Sequence, residues 1–219
     1  MASYYDNDGD NDDDDVIELM KRATSIDDHL HHLGIDSNIN ININKKYTLK
    51  CVKSSCLTTP QKNDLFALFE ANMKDMYDKT WGWNKEDKIK ELFAPTSKFL
   101  MIEDNDDADK IVAFTTFRFE WDDEEEPEYP VLYCYELQIS DDHQGKGIGK
   151  RLMELLVQFQ KACLMRKVML TCFKINTMAM SFYLKNGFYI DECSPSKFGD
   201  IDCHYEILSN DKPKKSKIR

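Results

Sequence analysis

The chain has 219 residues, 42% of them hydrophobic, and its twelve Phe, ten Tyr and three Trp are enough to fill one sizeable core. The net charge of -11 argues against a general nucleic-acid binder, because such proteins contact phosphates through clustered Lys and Arg, and it suits a basic partner. No apolar run approaches the ~20 residues that cross a bilayer, and the seven cysteines lack metal-binding spacing, so we expect a soluble intracellular protein with reduced thiols.

The first 44 residues are predicted to form an acidic, low-complexity segment outside the folded domain. Asp and Asn dominate residues 1–15, which cannot bury enough apolar surface to fold. Apolar residues at near-helical spacing predict one short amphipathic helix within residues 16–33, and the Asn/Ile alternation at 38–44 is expected to be a linker. The segment also contains three near-adjacent histidines, which we interpret as solvated rather than as metal ligands: His29, His31 and His32.

A folded domain is predicted for residues 45–209, beginning with a strand at 47–54. The Thr-Pro pair at 59–60 has the form of a helix N-cap and a first helical residue, and the apolar stripe that follows it predicts a long amphipathic helix. Asn84 is expected to cap a second helix, in which Ile89, Leu92 and Phe93 face the core.

Three strand runs come next. Those at 99–102 and 111–121 are predicted to pair as an antiparallel hairpin. An acidic hairpin tip at 122–126 leads to the third run, at 131–139, which is apolar and aromatic enough for a central strand buried on both faces. Glu136 is anomalous there, because a carboxylate in a central strand needs a partner or a chemical task.

A glycine-rich turn, from Gln144 to Gly149, follows the third run and leads into the most regular helical pattern of the chain. Such a turn frees consecutive backbone N–H groups and aims them, with the positive end of a helix dipole, at an anion. We interpret it as a pyrophosphate cradle. After the helix come a short buried strand at 168–173, a helix at 178–185, two strands at 188–193 and 203–208, and a basic tail at 210–219.

This order of elements predicts an α/β domain with a mixed, mostly antiparallel central sheet flanked by helices. The central strand, the glycine turn, the helix and the next strand form a crossover, so the two strands should be parallel neighbours. Ligands of open α/β sheets collect at the carboxyl ends of such strands. We therefore expect Glu136, the glycine turn and Asn176 to lie near one another.

Two motifs resemble the GNAT superfamily of N-acetyltransferases. The pattern Gln144-x-x-Gly147-x-Gly149, after a strand and opening a helix, is similar to that superfamily's acetyl-CoA pyrophosphate motif. The pattern Asn176-x-x-Ala179-x-x-x-Tyr183 is similar to its second cofactor segment and lies at the expected distance. The resemblance implies a GNAT fold and acetyl-CoA as the acetyl donor.

A narrower resemblance runs through nearly all of residues 45–209. Trp81-Gly82-Trp83, Leu132-Tyr133-Cys134-Tyr135-Glu136 and Tyr205-Glu206-Ile207-Leu208-Ser209 are similar to segments of the NatD family of protein N-terminal acetyltransferases. That family acetylates the α-amino group of tails that begin Ser-Gly-Arg-Gly, those of the histones H-four and H-two-A. The resemblance implies basic histone N-terminal tails as the substrate and direct transfer in a ternary complex.

The same resemblance assigns roles to individual residues. Glu136 is expected to be the principal catalytic carboxylate, as a general base or a water-positioning group, with Tyr133 and Tyr135 assisting proton transfer. The expected cofactor contacts are Leu137, Gln138, Ile139, Gln144, Gly145, Lys146, Gly147, Ile148, Gly149, Lys150, Asn176 and Tyr183. The expected substrate contacts are Tyr77, Trp81, Glu120, Asp122, Tyr133, Thr171 and Tyr205. No metal ligand is expected.

Simpler interpretations remain open for several of these residues. Glu136 is alternatively a structural carboxylate bonded to a backbone donor, and Tyr133 and Tyr135 are alternatively core residues that share a strand face. Tyr183 either supplies a general acid or packs against the pantetheine arm, and packing fits its apolar neighbours better. The acidic tip at 122–126 is either solvated or touches the substrate tail.

Two other functions are also compatible with the sequence: a lysine or small-amine acetyltransferase of the same fold, and a non-catalytic module that binds acyl-CoA or histone tails. An α-amine, with a pKa near ~8, is partly neutral at pH 7, so a modest base is sufficient for N-terminal acetylation. We expect a monomer, located in the cytoplasm and nucleus, with no direct contact to nucleic acid or membrane.

Overall fold

A computed structural model describes residues 10–42, 45–107, 110–122 and 129–211. Within these ranges the chain forms six α-helices and eight strands, joined by short turns. The helices are α1 (Asp10–Ser25), α2 (His29–His32), α3 (Thr59–Asp78), α4 (Lys85–Leu92), α5 (Ile148–Ala162) and α6 (Thr177–Lys185). The strands are β1 (Asn38–Asn42), β2 (Lys45–Lys53), β3 (Lys98–Asp104), β4 (Lys110–Trp121), β5 (Pro130–Ile139), β6 (Val168–Phe173), β7 (Tyr189–Ile190) and β8 (Tyr205–Ser209).

The described strands form one mixed sheet in the order β1-β2-β3-β4-β5-β6-β8-β7. Strands β5 and β6 are parallel, and every other pair of neighbours is antiparallel. Helix α5 supplies the crossover between the parallel pair, as the order of elements predicted. The predicted α/β class with a mixed, mostly antiparallel sheet is therefore confirmed.

Helices cover both faces of the sheet, because successive side chains of a strand point to opposite sides. In β3, Leu100 and Ile102 join a core with α5 and the N-terminal helices. Phe99 and Met101 join a second core with α3 and α4. Strand β5 departs from the prediction of burial on both faces, since alternate residues from Tyr133 onward are only half-buried where the strand lines a cleft.

The N-terminal segment differs from the prediction. Helix α1 begins at Asp10 and ends at Ser25, so it starts earlier than expected, and α2 is a separate short helix. Ala23 and Leu30 are buried in the core with α5. The buried Lys98 ammonium donates hydrogen bonds to the Thr24 and Ile26 carbonyls, at 2.9 and 2.5 Å. Placing the boundary of the folded unit at residue 45 was wrong, because these contacts attach the preceding helices to the sheet.

Two smaller predictions in this segment were also wrong. The Asn/Ile alternation is not a linker but contains β1, which pairs with β2 and satisfies backbone groups that would otherwise lie at the edge of the sheet. His29 is not solvated: it is 1% exposed and packs against the rings of Phe117, Phe119 and Phe159. Burial lowers the pKa of His29 to about 3, so the ring is neutral.

Other boundaries shift by a few residues. Helix α3 is capped by Thr58, whose side chain forms a reciprocal capping box with Gln61. Strand β7 is two residues long, shorter than expected, because the chain turns at Asp191. All seven cysteines are free thiols, as predicted, and four of them are buried.

Some predictions lie outside the described residues. They concern most of the acidic tail at 1–15, the hairpin tip after Asp122 and nearly all of the basic tail at 210–219. Within the part of the chain that is described, no helix combines the length and apolar character needed to cross a bilayer. The described His, Cys, Asp and Glu side chains form no cluster that could hold a metal ion.

Candidate active site

A cleft opens where β5 and β6 separate. The two strands pair only from Leu132 to Cys134 on β5, and β5 then continues without its parallel partner. Opposite β4 the register shifts by one residue, so that Tyr135 is an extra residue in β5, a β-bulge. The bulge and the separation of the strands form one wall of a cavity of about 690 Å³.

Glu136 follows the bulge and lies in the cavity wall. It is only 7% exposed, and its Oε1 atom is 2.6 Å from the Lys88 ammonium. Its Oε2 atom accepts a 2.7 Å hydrogen bond from Gln138, whose own amide oxygen accepts one from Asn72 at 3.0 Å. Burial raises the pKa of Glu136, while Lys88 and Gln138 act in the opposite direction. Within the described parts of the chain, the partners of Glu136 are thus the side chains of Lys88 and Gln138, and not the backbone donor considered as an alternative from the sequence.

Lys88 is a site residue that sequence reasoning missed. It lies on α4, is 5% exposed and also bonds Tyr77 Oη at 2.9 Å and Glu91 at 3.1 Å. Burial lowers the pKa of Lys88, but Glu136, Tyr77 and Glu91 together outweigh burial, and the net pKa is raised. The helical spacing could have predicted that Lys88 faces inward, because Lys88 precedes the buried Leu92 by four residues and therefore lies on the same face of α4.

The two tyrosines of β5 share one face, with ring centroids 5.0 Å apart. The Tyr133 hydroxyl lies 2.5 Å from Thr171 Oγ1, across the gap to β6. The Tyr135 hydroxyl donates to Glu120 at 2.7 Å, and its ring stacks on the Arg118 guanidinium at 3.9 Å. Burial raises the pKa of Tyr133 to about 12, so its hydroxyl stays protonated at neutral pH and can donate a hydrogen bond.

Aromatic rings form the opposite wall of the cleft. Tyr77 lies edge-on to Trp81 at 5.9 Å, and Trp81 packs against Phe173 at 4.7 Å and Tyr205 at 5.3 Å. Trp81 is 52% exposed, which is unusual for so large an apolar ring. The predicted substrate residues Tyr77, Trp81, Thr171 and Tyr205 are thereby brought to one place.

The cleft is acidic. Among the described residues that line it, four carry carboxylates and one, Lys88, carries an ammonium; the carboxylates belong to Glu91, Glu120, Asp122 and Glu136. Asp122 accepts a 3.0 Å hydrogen bond from the Tyr129 backbone. Glu120 is the acceptor of Tyr135 and lies 3.6 Å from Arg118. Glu91, which sequence reasoning did not single out, adds its charge from α4.

The glycine turn adjoins the end of β5. Gln144 anchors it, because its side-chain amide donates to the Ile139 carbonyl at 3.2 Å and to Asp141 at 3.1 Å. Gly145 and Gly147 have φ values of 71° and 85°, a backbone region that residues with a Cβ rarely adopt. Gly147 is the N-cap of α5 and offers no side-chain acceptor, so the first N–H groups of the helix point outward.

These residues fit a pyrophosphate. The free N–H groups and the helix dipole attract an anion, and the side chains of Lys146 and Lys150 are exposed on either side of them. Gly149 lies against the body of the protein, where a Cβ would come within 3.0 Å of Ile139 Cδ1 and 3.3 Å of Phe182 Cζ. Ile148 is buried and holds the turn on the core.

The other predicted cofactor residues extend from the turn into the cleft. Leu137, Gln138, Asn176 and Tyr183 line the cavity, whereas Ile139 packs beneath Gly149. Asn176 caps α6 by accepting from the Ala179 N–H at 3.1 Å. Tyr183 is 8% exposed and packs on Phe182 and Phe188, and burial raises its pKa well above the ordinary value. These surroundings favour a packing role for Tyr183 over that of a proton donor.

The sequence matches a known protein family and a curated protein. Residues 63–188 match the model of the Acetyltransferase (GNAT) family. N-alpha-acetyltransferase 40 of Saccharomyces cerevisiae is 30% identical over 159 residues, which are 66% of this chain and 54% of that protein. The chain thus spans about half the length of this curated relative.

Two solved structures have a similar fold. PaiA N-acetyltransferase of Thermoplasma acidophilum, in complex with coenzyme A, aligns with a TM-score of 0.52 at 15% identity, over 75% of this chain and 99% of that one. NAA60 of Arabidopsis thaliana, in complex with a bisubstrate analogue, aligns with a TM-score of 0.51 at 13% identity, over 74% and 98% of the two chains.

The family match extends from α3 to Phe188 and so includes the cleft, the glycine turn and α6. The GNAT fold that the motifs implied is confirmed, and acetyl-CoA as the donor agrees with it. The chain belongs to the acetyltransferase (GNAT) family.

Proposed function

We propose that this protein is an Nα-acetyltransferase that uses acetyl-CoA to acetylate the N-terminal serine of basic tails that begin Ser-Gly-Arg-Gly, as in the two histones named above. One observation carries the proposal. A buried carboxylate, Glu136, lies in an acidic, aromatic-walled cleft directly beside a turn suited to a pyrophosphate. The 30% identity to an N-alpha-acetyltransferase supports the choice of an α-amine.

The residues divide the chemical work between them. Acetyl-CoA supplies an activated thioester, and the turn from Gln144 to Gly149 holds its pyrophosphate. Glu136 removes the proton that the acceptor amine must lose, directly or through a water molecule. Burial strengthens Glu136 as a base, because it raises the pKa of the carboxyl group. The protonated Tyr133 hydroxyl, beside Thr171, is placed to donate a hydrogen bond to the reacting groups.

A carboxylate of this kind suits an α-amine better than a lysine side chain. The α-amine of a peptide has a pKa near ~8, whereas that of lysine lies near ~10.4, so the α-amine is neutral far more often at pH 7. Only the neutral amine attacks a thioester. A single carboxylate therefore provides enough basicity for Nα-acetylation.

The walls of the cleft match the rest of the proposed substrate. Tyr77 and Trp81 present flat rings to the first residue of a tail, and the exposed face of Trp81 is available for contact. Glu120, Asp122 and Glu91 give the cleft the negative charge that an arginine near the start of the tail requires. The sequence similarity to the NatD family, described above, points to the same tails.

The direct test is mass spectrometry of peptides incubated with the protein and acetyl-CoA. A peptide that begins Ser-Gly-Arg-Gly and contains an internal lysine should gain one acetyl group, on its α-amine. The same peptide with a blocked N-terminus should gain none. Acetylation of lysine in the blocked peptide would favour the lysine or small-amine acetyltransferase, and binding of acetyl-CoA without transfer would favour the non-catalytic module.

A further inference from the structure

We propose that Lys88 is a positioning residue for acetyl transfer, whose ammonium keeps the buried Glu136 carboxylate ionised and oriented toward the acceptor amine. The inference rests on the proposed function, in which Glu136 handles the proton. Lys88 reaches Glu136 from α4, across the cleft from the strand that carries the carboxylate. Both side chains line the cavity.

The contacts of Lys88 leave it no free donor. An ammonium has three N–H groups, and three side chains accept from this one: Glu136 at 2.6 Å, Tyr77 at 2.9 Å and Glu91 at 3.1 Å. The ammonium nitrogen also lies 4.9 and 5.3 Å from the ring centroids of Phe69 and Tyr77. Lys88 therefore has no N–H group left for a substrate, and it acts through the side chains that it bonds, of which Glu136 is the nearest.

Glu136, in contrast, keeps acceptor capacity. Each carboxylate oxygen has two lone pairs, and the structure shows one bond to each oxygen, from Lys88 and from Gln138. These two bonds fix the plane of the carboxylate while leaving room for an amine or a water molecule. A buried ion pair contributes little to stability compared with apolar residues of the same size, so its position at the bulge is better explained by chemistry.

The charges around Glu136 depend on Lys88. The groups that face the carboxylate are Lys88 and Glu91 from α4, Tyr77 from α3, Tyr183 from α6 and Cys134 from β5. Among these described groups Lys88 is the one cation. Burial and Glu91 both raise the pKa of Glu136, and Lys88 opposes them. Without the ammonium, the carboxylate should bind a proton at a higher pH.

The experiment compares Lys88→Met and Lys88→Arg with wild type. We expect Lys88→Met to lower kcat for the Ser-Gly-Arg-Gly peptide by about 10²-fold at neutral pH, because the base is lost there. The acid limb of its pH profile should move to higher pH, while KM for the peptide changes by less than about twofold, because Lys88 has no donor for the substrate. Lys88→Arg should keep the wild-type acid limb, because the positive charge remains.

Lys90→Met is the matched control. Lys90 lies on the same helix, but its side chain is 74% exposed and pairs only with Asp87 among the described residues, at 3.3 Å. Its removal should leave kcat and the acid limb unchanged. The double variant Lys88→Met/Glu136→Gln should be no slower than the slower single variant, because the two residues act as one unit.

The effect of Lys88 on Glu136 can also be tested without turnover, by NMR titration of the Glu136 carboxyl carbon. The signal of this carbon is the one that disappears in the Glu136→Gln variant. The pKa of Glu136 should be higher in Lys88→Met than in wild type. An unchanged pKa, or an unchanged acid limb with a raised KM, would overturn the role of Lys88. If wild type acetylates only lysines, the α-amine proposal fails and the acid limb is measured with that substrate. If it acetylates no amine, both proposals fail.

Discussion

Glu136 is a carboxylate that the fold removes from water while giving each of its oxygens a polar partner. Such a group is ordinarily expensive to bury, and its pKa moves upward as a result. The sequence marked it as anomalous in an apolar strand, and that expectation was useful. Its partner Lys88 was not foreseeable as a site residue, since three lysines occur among the eight residues of α4 and two of them are exposed.

Glu136→Gln tests the residue directly. The amide keeps the shape of the side chain and its contact with Gln138 but cannot take a proton, so kcat should fall by about 10²-fold. Binding of acetyl-CoA, measured by calorimetry, should be unchanged. Glu86→Gln, an exposed carboxylate on α4, serves as the control and should keep full activity. Unchanged turnover in Glu136→Gln would remove the carboxylate from the mechanism.

Secondary structure was predictable where the signal is local. Asn84 caps α4 as expected, since its side chain accepts from the Asp87 N–H at 3.2 Å. The inward face of α4 was predicted only in part: Leu92 is buried as expected, but Ile89 is 37% exposed and Lys88 is buried. Helical periodicity detects apolar residues, whereas the nearest group that stabilises the buried Lys88 is Glu136 of β5, which is distant in sequence.

The glycine turn allows a test at the level of one element. Gly147→Ala should reorient the first N–H groups of α5 and so weaken their hydrogen bonds to the pyrophosphate. KM for acetyl-CoA should rise by about tenfold, which corresponds to the loss of roughly one charge-assisted hydrogen bond. Gly34 is a matched control, because both glycines have positive φ and open space where the Cβ of an alanine would lie. Both alanine variants should lose about 1–2 kcal/mol of stability from left-handed strain. Equal KM values in the two variants would contradict a cofactor role for the turn.

At the scale of the whole molecule, the mixed sheet and its one parallel crossover followed from the order of elements. The extent of the folded unit did not. The segment before residue 45 is acidic and of low complexity, so composition indicated a tail, yet a few residues attach it firmly. Lys98 bonds two of its carbonyls, and His29 lies among three phenylalanine rings. Such contacts depend on tertiary packing, which cannot be predicted from amino-acid composition.

His29 makes the attachment of this segment sensitive to pH. Burial, reinforced by Lys98, lowers the pKa of His29 from its ordinary 6.5 to about 3 in the folded protein, so the unfolded chain binds the proton more readily. The stability from neutral His29 is complete above about pH 6.5 and is lost as the pH falls toward 3. Between pH 7 and pH 5, wild type should therefore lose about 2 kcal/mol more of its unfolding free energy than His29→Leu, as measured by urea denaturation. The control is His31→Leu, which removes an exposed histidine and should lose as much unfolding free energy between pH 7 and pH 5 as wild type does. If all three proteins lose the same amount, His29 is not responsible for the pH dependence.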